Sequence, residues 1–389
     1  MKQIIANHKN FLVIYLLGFI WALAMALPTY IQSSFLEEIV GVDKVGLYFT
    51  IATALAMVVM LGYYQLIKRF SNLMVTICVL LITGLSMIAL RQQIGALIVG
   101  LFFTLQYIGF NLLIINLDIF LENITTNSQT GKIRATFLTI INTAWAVSPI
   151  LMGQIAERFD FGTFYLIAGC LLLPTILILL FQKKQLSLRV SYQDRNPIDT
   201  FFSVIKNKDL RNVFCLRLGL NYFYAIMVLY APIYLHQQIG FSWTELGFLF
   251  TIMLLPFIIF QLPAGTLADR FFGEKEISIL GIGIMIIAIL FFFLVRTDSF
   301  LAWAIILFGS RVGAALLEVM TETYFFKKVN VKDIGIINGF RVIGPAGYLI
   351  ATFIAFVFLR FVPLEHIFLF LLAGLMCMLI PAIAIKDTK

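Results

Sequence analysis

Charge is what this chain is short of. Of its 389 residues only 12% are Asp, Glu, Lys or Arg, against about 25% in an ordinary soluble domain. The three histidines, His8, His236 and His366, lie far apart in sequence, which excludes a metal-ligand spacing of the zinc type. No nucleophile elbow, phosphate loop or paired-carboxylate motif occurs. Cys78, Cys170, Cys215 and Cys377 each sit in a separate apolar run, so a disulfide framework is excluded and packed, unbridged thiols are predicted. No catalytic residue, metal ion or cofactor is therefore expected, and the chain reads as something other than an enzyme.

What is present is hydrocarbon. Apolar residues make up 61% of the chain, with 39 Phe among them, and the mean hydropathy is +0.99. A transmembrane helix needs about 20 consecutive, mostly apolar residues. Runs of that kind, bounded by charge, Gly, Pro or Asn, cover 11–32, 45–67, 72–90, 95–118, 134–156, 161–181, 210–235, 244–268, 277–295, 300–324, 335–359 and 365–385. The pattern predicts an all-α, multi-pass membrane protein of twelve spans. The first run is too long for a signal peptide and no small-residue cleavage site follows it, so it reads as a retained helix.

The formal net charge of +8 has a topological cause. With the N-terminus placed in the cytoplasm, twenty of the 28 Lys and Arg fall at or beyond the inner ends of the spans and five on the outer side, with three deep inside spans. This bias is the positive-inside rule. It predicts a cell-membrane protein with both termini cytoplasmic, and it removes the need for a nucleic-acid partner. The one long polar stretch, 182–209, divides the chain into a first six-helix bundle over 1–181 and a second over 210–389. Within it, Ile198, Phe201, Phe202 and Ile205 have the spacing of an amphipathic helix lying on the bilayer.

The halves repeat one another. Val45-Gly46-Leu47-Tyr48-Phe49-Thr50-Ile51 opens span two, and Leu246-Gly247-Phe248-Leu249-Phe250-Thr251-Ile252 opens span eight. Asn142 and Pro149 in span five match Asn338 and Pro345 in span eleven. Gly109 with Asp118 in span four matches Gly313 with Glu322 in span ten. Three matches in the same order argue for two pseudosymmetric six-helix bundles.

Span eight runs into Gly265-Thr266-Leu267-Ala268-Asp269-Arg270-Phe271-Phe272-Gly273. That run resembles the loop motif of the major facilitator superfamily, and the resemblance extends over essentially the whole chain. Span five carries Ser148-Pro149-Ile150-Leu151-Met152-Gly153, similar to the family's antiporter signature with Ser and Met at two Gly positions. The resemblance implies a secondary transporter working by alternating access, usually as a monomer, with a small-molecule substrate near the bilayer midplane between the halves. Gly265, Asp269, Arg270 and Gly273 would form its loop motif.

Ionisable groups inside a span cost at least about 2.5–3.5 kcal/mol each on insertion scales, so each needs a reason. Arg311, Glu318 and Glu322 in span ten are separated by seven and four residues, which puts them on one helix face. Arg341 in span eleven comes to a similar depth, making a Glu–Arg pair with it or with Arg311 plausible. Two readings stand: a salt-bridge lock, or a proton carrier at Glu318 or Glu322 whose pairing changes during transport. Asp118, at the inner end of span four, reads as a gate brace paired with Arg69 or Lys132. Arg311 and Arg217 are candidate anion contacts, and Asn111, Trp145, Asn221 and Tyr222 candidate cavity residues. Protons and the bilayer are the expected partners. A proton-coupled exporter or antiporter is favoured from the span-five signature; an importer of an anionic metabolite and a non-transporting membrane sensor are the alternatives.

Overall fold

The computed structural model describes residues 2–124, 130–182, 204, 206–270, 273–329 and 334–386, and the side chains of Asp118, Asp269, Arg270 and Asn338 lie outside the described set. The expected amphipathic helix of the linker also lies outside it.

In hydrocarbon every backbone N–H and C=O must be bonded within the chain, and a helix does this locally. The apolar runs accordingly fold as α-helices, and the described residues contain no strand. The first compact unit, Met1–Gly41 with Ile51–Ser191, holds α1 (Lys2–Thr29), α2 (Gln32–Val40), most of α3 (Val42–Phe70), α4 (Asn72–Leu90), α5 (Ala96–Ile124), α6 (Thr130–Ala156), α7 (Gly162–Leu172) and α8 (Thr175–Phe181). Pro174 opens α8, where its missing N–H costs nothing, so α7 and α8 together make one apolar span. The short α2 lies outside the expected spans; it buries Phe35 with its ring 4.7 Å from that of Tyr165.

The second unit, Val42–Thr50 with Tyr192–Lys389, holds α9 (Lys208–Tyr234), α10 (Trp243–Arg270), α11 (Glu274–Leu294), α12 (Phe300–Lys328), α13 (Ile334–Phe358) and α14 (Ile367–Ala384). A five-residue π-turn, Leu235–Ile239, extends α9. The first two turns of α3 pack within this unit. Thr50 Oγ1 donates to Thr352 Oγ1 at 2.9 Å, and a Cβ at Gly46 would meet the Thr352 carbonyl oxygen at 2.6 Å.

Eleven segments among the described residues are long and apolar enough to cross a membrane. The twelfth expected span, 134–156, falls on α6, a 27-residue helix that is not one of the eleven. Both units are apolar outside as well as inside: Val58, Leu97, Leu301, Phe361 and Ile380 are all well exposed. That is the surface a bilayer covers. The four cysteines correct the expectation of packed thiols, since all are free and lie on the exposed outer faces. In lipid a thiol gains little by facing inward, because the hydrocarbon outside is as apolar as the core.

Between lipid-bathed helices, close backbone approach does the work that burial does in water. Gly84 of α4 faces Gly169 of α7, Gly109 of α5 faces Thr83 of α4, and Gly281 of α11 faces Gly313 of α12. Gly109 and Gly313 are matched positions of the internal repeat, and each sits where the third and fourth long helices of its unit cross. A Cβ on Gly281 would lie 2.7 Å from the Gly313 carbonyl oxygen, whereas one on Gly283 would meet nothing within 4 Å. Gly281→Ala is therefore expected to cost about 1–3 kcal/mol by overpacking, and Gly283→Ala to stay within about 0.5 kcal/mol of wild type. Melting temperatures of the two purified variants check this pair.

Outside the spans, Arg91 holds Asp160 in an ion pair, and the Thr163 N–H donates to the same carboxylate oxygen at 3.1 Å. Partial burial works against the charged form, but Arg91 and Thr163 outweigh it and keep the Asp160 carboxyl below the usual carboxylate range. A carboxyl depressed in the folded state stabilises above its unfolded pKa, and this contribution is lost as pH falls through the folded value. Both side chains are largely exposed, so the pair is worth at most about 1 kcal/mol. Asp160→Asn is expected to lower the melting temperature slightly at neutral pH and not at all in strong acid.

Candidate functional site

The charged residues of the second unit converge because α9 and α12 are held in register at one end. The Asn207 Oδ1 caps α9 by accepting from the Asp209 and Leu210 N–H groups. Lys328 Nζ then binds Asp209 Oδ2 at 3.0 Å, tying the last turn of α12 to the first turn of α9. Next to it Lys327 Nζ meets Glu274 Oε1 of α11 at 2.7 Å, and Glu274 is only 1% exposed.

From that clasp, α9 brings Arg217 against the acid stripe of α12. The Arg217 Nη1 lies 3.4 Å from Glu318 Oε1 and 3.3 Å from Glu322 Oε1, so one guanidinium nitrogen serves two carboxylates. The second Glu318 oxygen accepts from the Tyr224 hydroxyl at 3.3 Å and from Gln261 Nε2 of α10 at 3.4 Å. Phe340 of α13 lies under Arg217, ring centroid 5.5 Å from Cζ. The side chains of Arg217, Glu318 and Glu322 are 21%, 27% and 42% exposed, so the cluster opens progressively along α12 from Glu318 to Glu322. Its contacts, at 3.3–3.4 Å, are each shared between more than one partner.

Arg217 is thus the partner that both acids share, where Arg341 or Arg311 was expected. The reason lies in helix direction: Arg311 points to the rings of Phe223 and Tyr224, with centroids 5.0 and 5.3 Å from Cζ. Arg341 lies on the exposed side of α13. Gln261 was missed, although it is a polar residue in an apolar run between Pro256 and Pro263. Asn221 Nδ2 donates to the Arg217 carbonyl at 2.8 Å and Asn111 Nδ2 to that of Tyr107 at 2.8 Å. Both amides are half-buried, as is Trp145. Tyr222 is instead buried against α14, its Cε1 2.7 Å from where a Cβ on Gly374 would stand. In the loop motif, a Cβ on Gly265 would meet Val319 Cγ1 at an ordinary 3.8 Å, and Gly273 ends the loop at φ +93°, a left-handed conformation that favours glycine. No group of three or more His, Cys, Asp and Glu able to hold a metal ion occurs among the described residues.

A model of the Major Facilitator Superfamily matches residues 9–347. The chain belongs to the Major Facilitator Superfamily. The all-helical fold and paired bundles expected from the repeat are those of this family, and the protein is a multi-pass membrane protein of a transporter family. No curated protein matches it in sequence. Among solved structures it is similar to the nucleoside transporter NupG, with TM-score 0.79 at 12% identity over 96% of this chain and 98% of that one. An auto-inhibited POT family peptide transporter gives 0.78 at 10% identity, over 98% of each chain. A bacterial homologue of the human lysosomal transporter Spinster, inward-facing and unoccupied, gives 0.71 at 9% identity over 97% and 93%. At such identities the likeness speaks for the fold alone.

Proposed function

We propose that the protein is a proton-coupled secondary transporter of small molecules that works by alternating access, with Glu318 as the proton carrier. The observation that carries this reading is the mostly buried carboxylate of Glu318, shared among Arg217, Tyr224 and Gln261. Protonation turns a charge-assisted contact with Arg217 into a neutral one, leaving Arg217 to Glu322 alone. A change of roughly 1–2 kcal/mol in one contact is enough to shift a two-state equilibrium several-fold. An ion pair remade by a proton is a switch of the kind that biases a bistable helix packing.

The basic-residue asymmetry supports a reading in the cell membrane with both termini cytoplasmic. The same reading makes it a monomer, with bundles over 1–181 and 210–389 and a cytoplasmic linker over 182–209. Asp118, Asp269 and Arg270 are assigned to the gate and the loop motif by sequence. In the antiport read from Ser148, Pro149 and Gly153, substrate and proton alternate on the protein; in symport they bind together.

Proteoliposomes with an imposed pH gradient, given cationic, neutral and anionic compounds one at a time, test the reading. A compound that collapses the gradient with wild type but not with Glu318→Gln is expected, and the sign of the coupled flux separates antiport from symport. Silence across the panel with folded, inserted protein would remove proton-coupled transport.

A further inference from the structure

Arg311 is the one charge of the α12 stripe that the acid cluster leaves over. It is 2% exposed, and among the described residues it has no ion pair, because Glu318 and Glu322 are both turned to Arg217. Its Nε has no hydrogen-bond acceptor. The faces of Phe223 and Tyr224 attract the cation but do not replace acceptors for the five in-plane N–H donors of a guanidinium. A buried guanidinium with unfilled donors is poised for a planar, bidentate oxyanion.

We propose that Arg311 binds the oxyanion group of the transported substrate, a carboxylate or phosphate carried on a small apolar or aromatic body. Exposure falls along α12 from Glu322 through Glu318 to Arg311, and Tyr224 lies between the last two. That residue joins the two sites: its ring lies against Arg311 and its hydroxyl donates to Glu318.

A charge count then deepens the reading of Glu318 as the proton carrier, on which this step rests. With both acids ionised, Arg217, Arg311, Glu318 and Glu322 sum to zero. With Glu318 protonated the sum is +1, and the uncompensated charge is that of Arg311. The other side chain bonded to Glu318 is Gln261 from α10, which is neutral; Glu274 from α11 is engaged with Lys327. Proton and oxyanion therefore bind together, which is symport. Seven residues separate Arg311 from Glu318, so removing that negative charge at about 10 Å and an effective dielectric constant near 20 raises oxyanion affinity on the order of tenfold.

The test uses the purified full chain with four probes of one shape: benzoate, phenyl phosphate, the neutral benzamide and the cationic benzylamine. One or both anions are expected to bind and raise the melting temperature, and benzamide and benzylamine to do neither. Whichever anion binds names the group as carboxylate or phosphate. Arg311→Gln is expected to abolish this binding, and Arg311→Lys, which keeps the charge but loses the fork, to weaken it at least about tenfold. Should Arg311→Gln fail to fold, Arg311→Lys and the wild-type panel decide. Equal binding of benzamide, undiminished binding in both Arg311 variants, or no anion binding to wild type would each overturn the proposal. Glu318→Gln, fixed in the neutral form, is expected to bind the anion and to lose the part of the pH dependence that wild type shows beyond the titration of the anion itself. If anion binding depends on Arg311 while Glu318→Gln still shows pH-driven transport, the oxyanion site stands and the proton-carrier reading falls.

Discussion

Glu318→Gln is expected to fold, insert and lose pH-driven transport to background while retaining counterflow of substrate at equal pH. Glutamine keeps the size of the side chain and an oxygen able to accept from Tyr224 and Gln261, so the packing of α9, α10 and α12 around it is preserved. What it removes is the change of charge. Arg217 then stays with Glu322, whose carboxylate is 3.3 Å away, whatever the pH. Proteoliposome flux with and without a pH gradient separates the two activities; transport that still follows the gradient would mean that the proton rides elsewhere. Glu322→Gln has a different expected signature. It leaves the Arg217–Glu318 pair in place, so coupling is retained and its pH dependence shifts.

Arg217→Gln is expected to be the most damaging single change in the cluster. It leaves Glu318 and Glu322, one helical turn apart, without the cation between them. Stranding a charge in a fully buried pair costs about 3–5 kcal/mol. Here the side chains are 21–42% exposed, and solvent screening brings the expected loss to about 1–3 kcal/mol. The double variant Arg217→Gln with Glu322→Gln should recover most of it, because the like-charge pair is gone. A double-mutant cycle on melting temperature measures that coupling. A double variant no more stable than Arg217→Gln would show that the loss comes from the missing contact with Phe340 rather than from repulsion.

Much of this protein was legible before any coordinates. Long apolar runs must be helices in lipid, because no other local structure satisfies the backbone there. The spacing of Arg311, Glu318 and Glu322 put them on one face from helical periodicity alone, and the matched Gly109 and Gly313 announced paired bundles. Partner choice was not legible. Arg217 lies 101 residues from Glu318, and nothing in the periodicity of α9 or α12 states which faces meet. That is decided by how close the helices come, as where Gly281 and Gly313 let two backbones touch, and by end clasps such as Lys328 with Asp209. The same packing turned Arg311 to the rings of α9, recruited Gln261 from α10, buried Tyr222 against α14 and left the cysteines outward. Composition and periodicity are properties of single helices and determined what each could be. Interhelical distance and rotation belong to pairs, and only the tertiary structure decided which charge faces which.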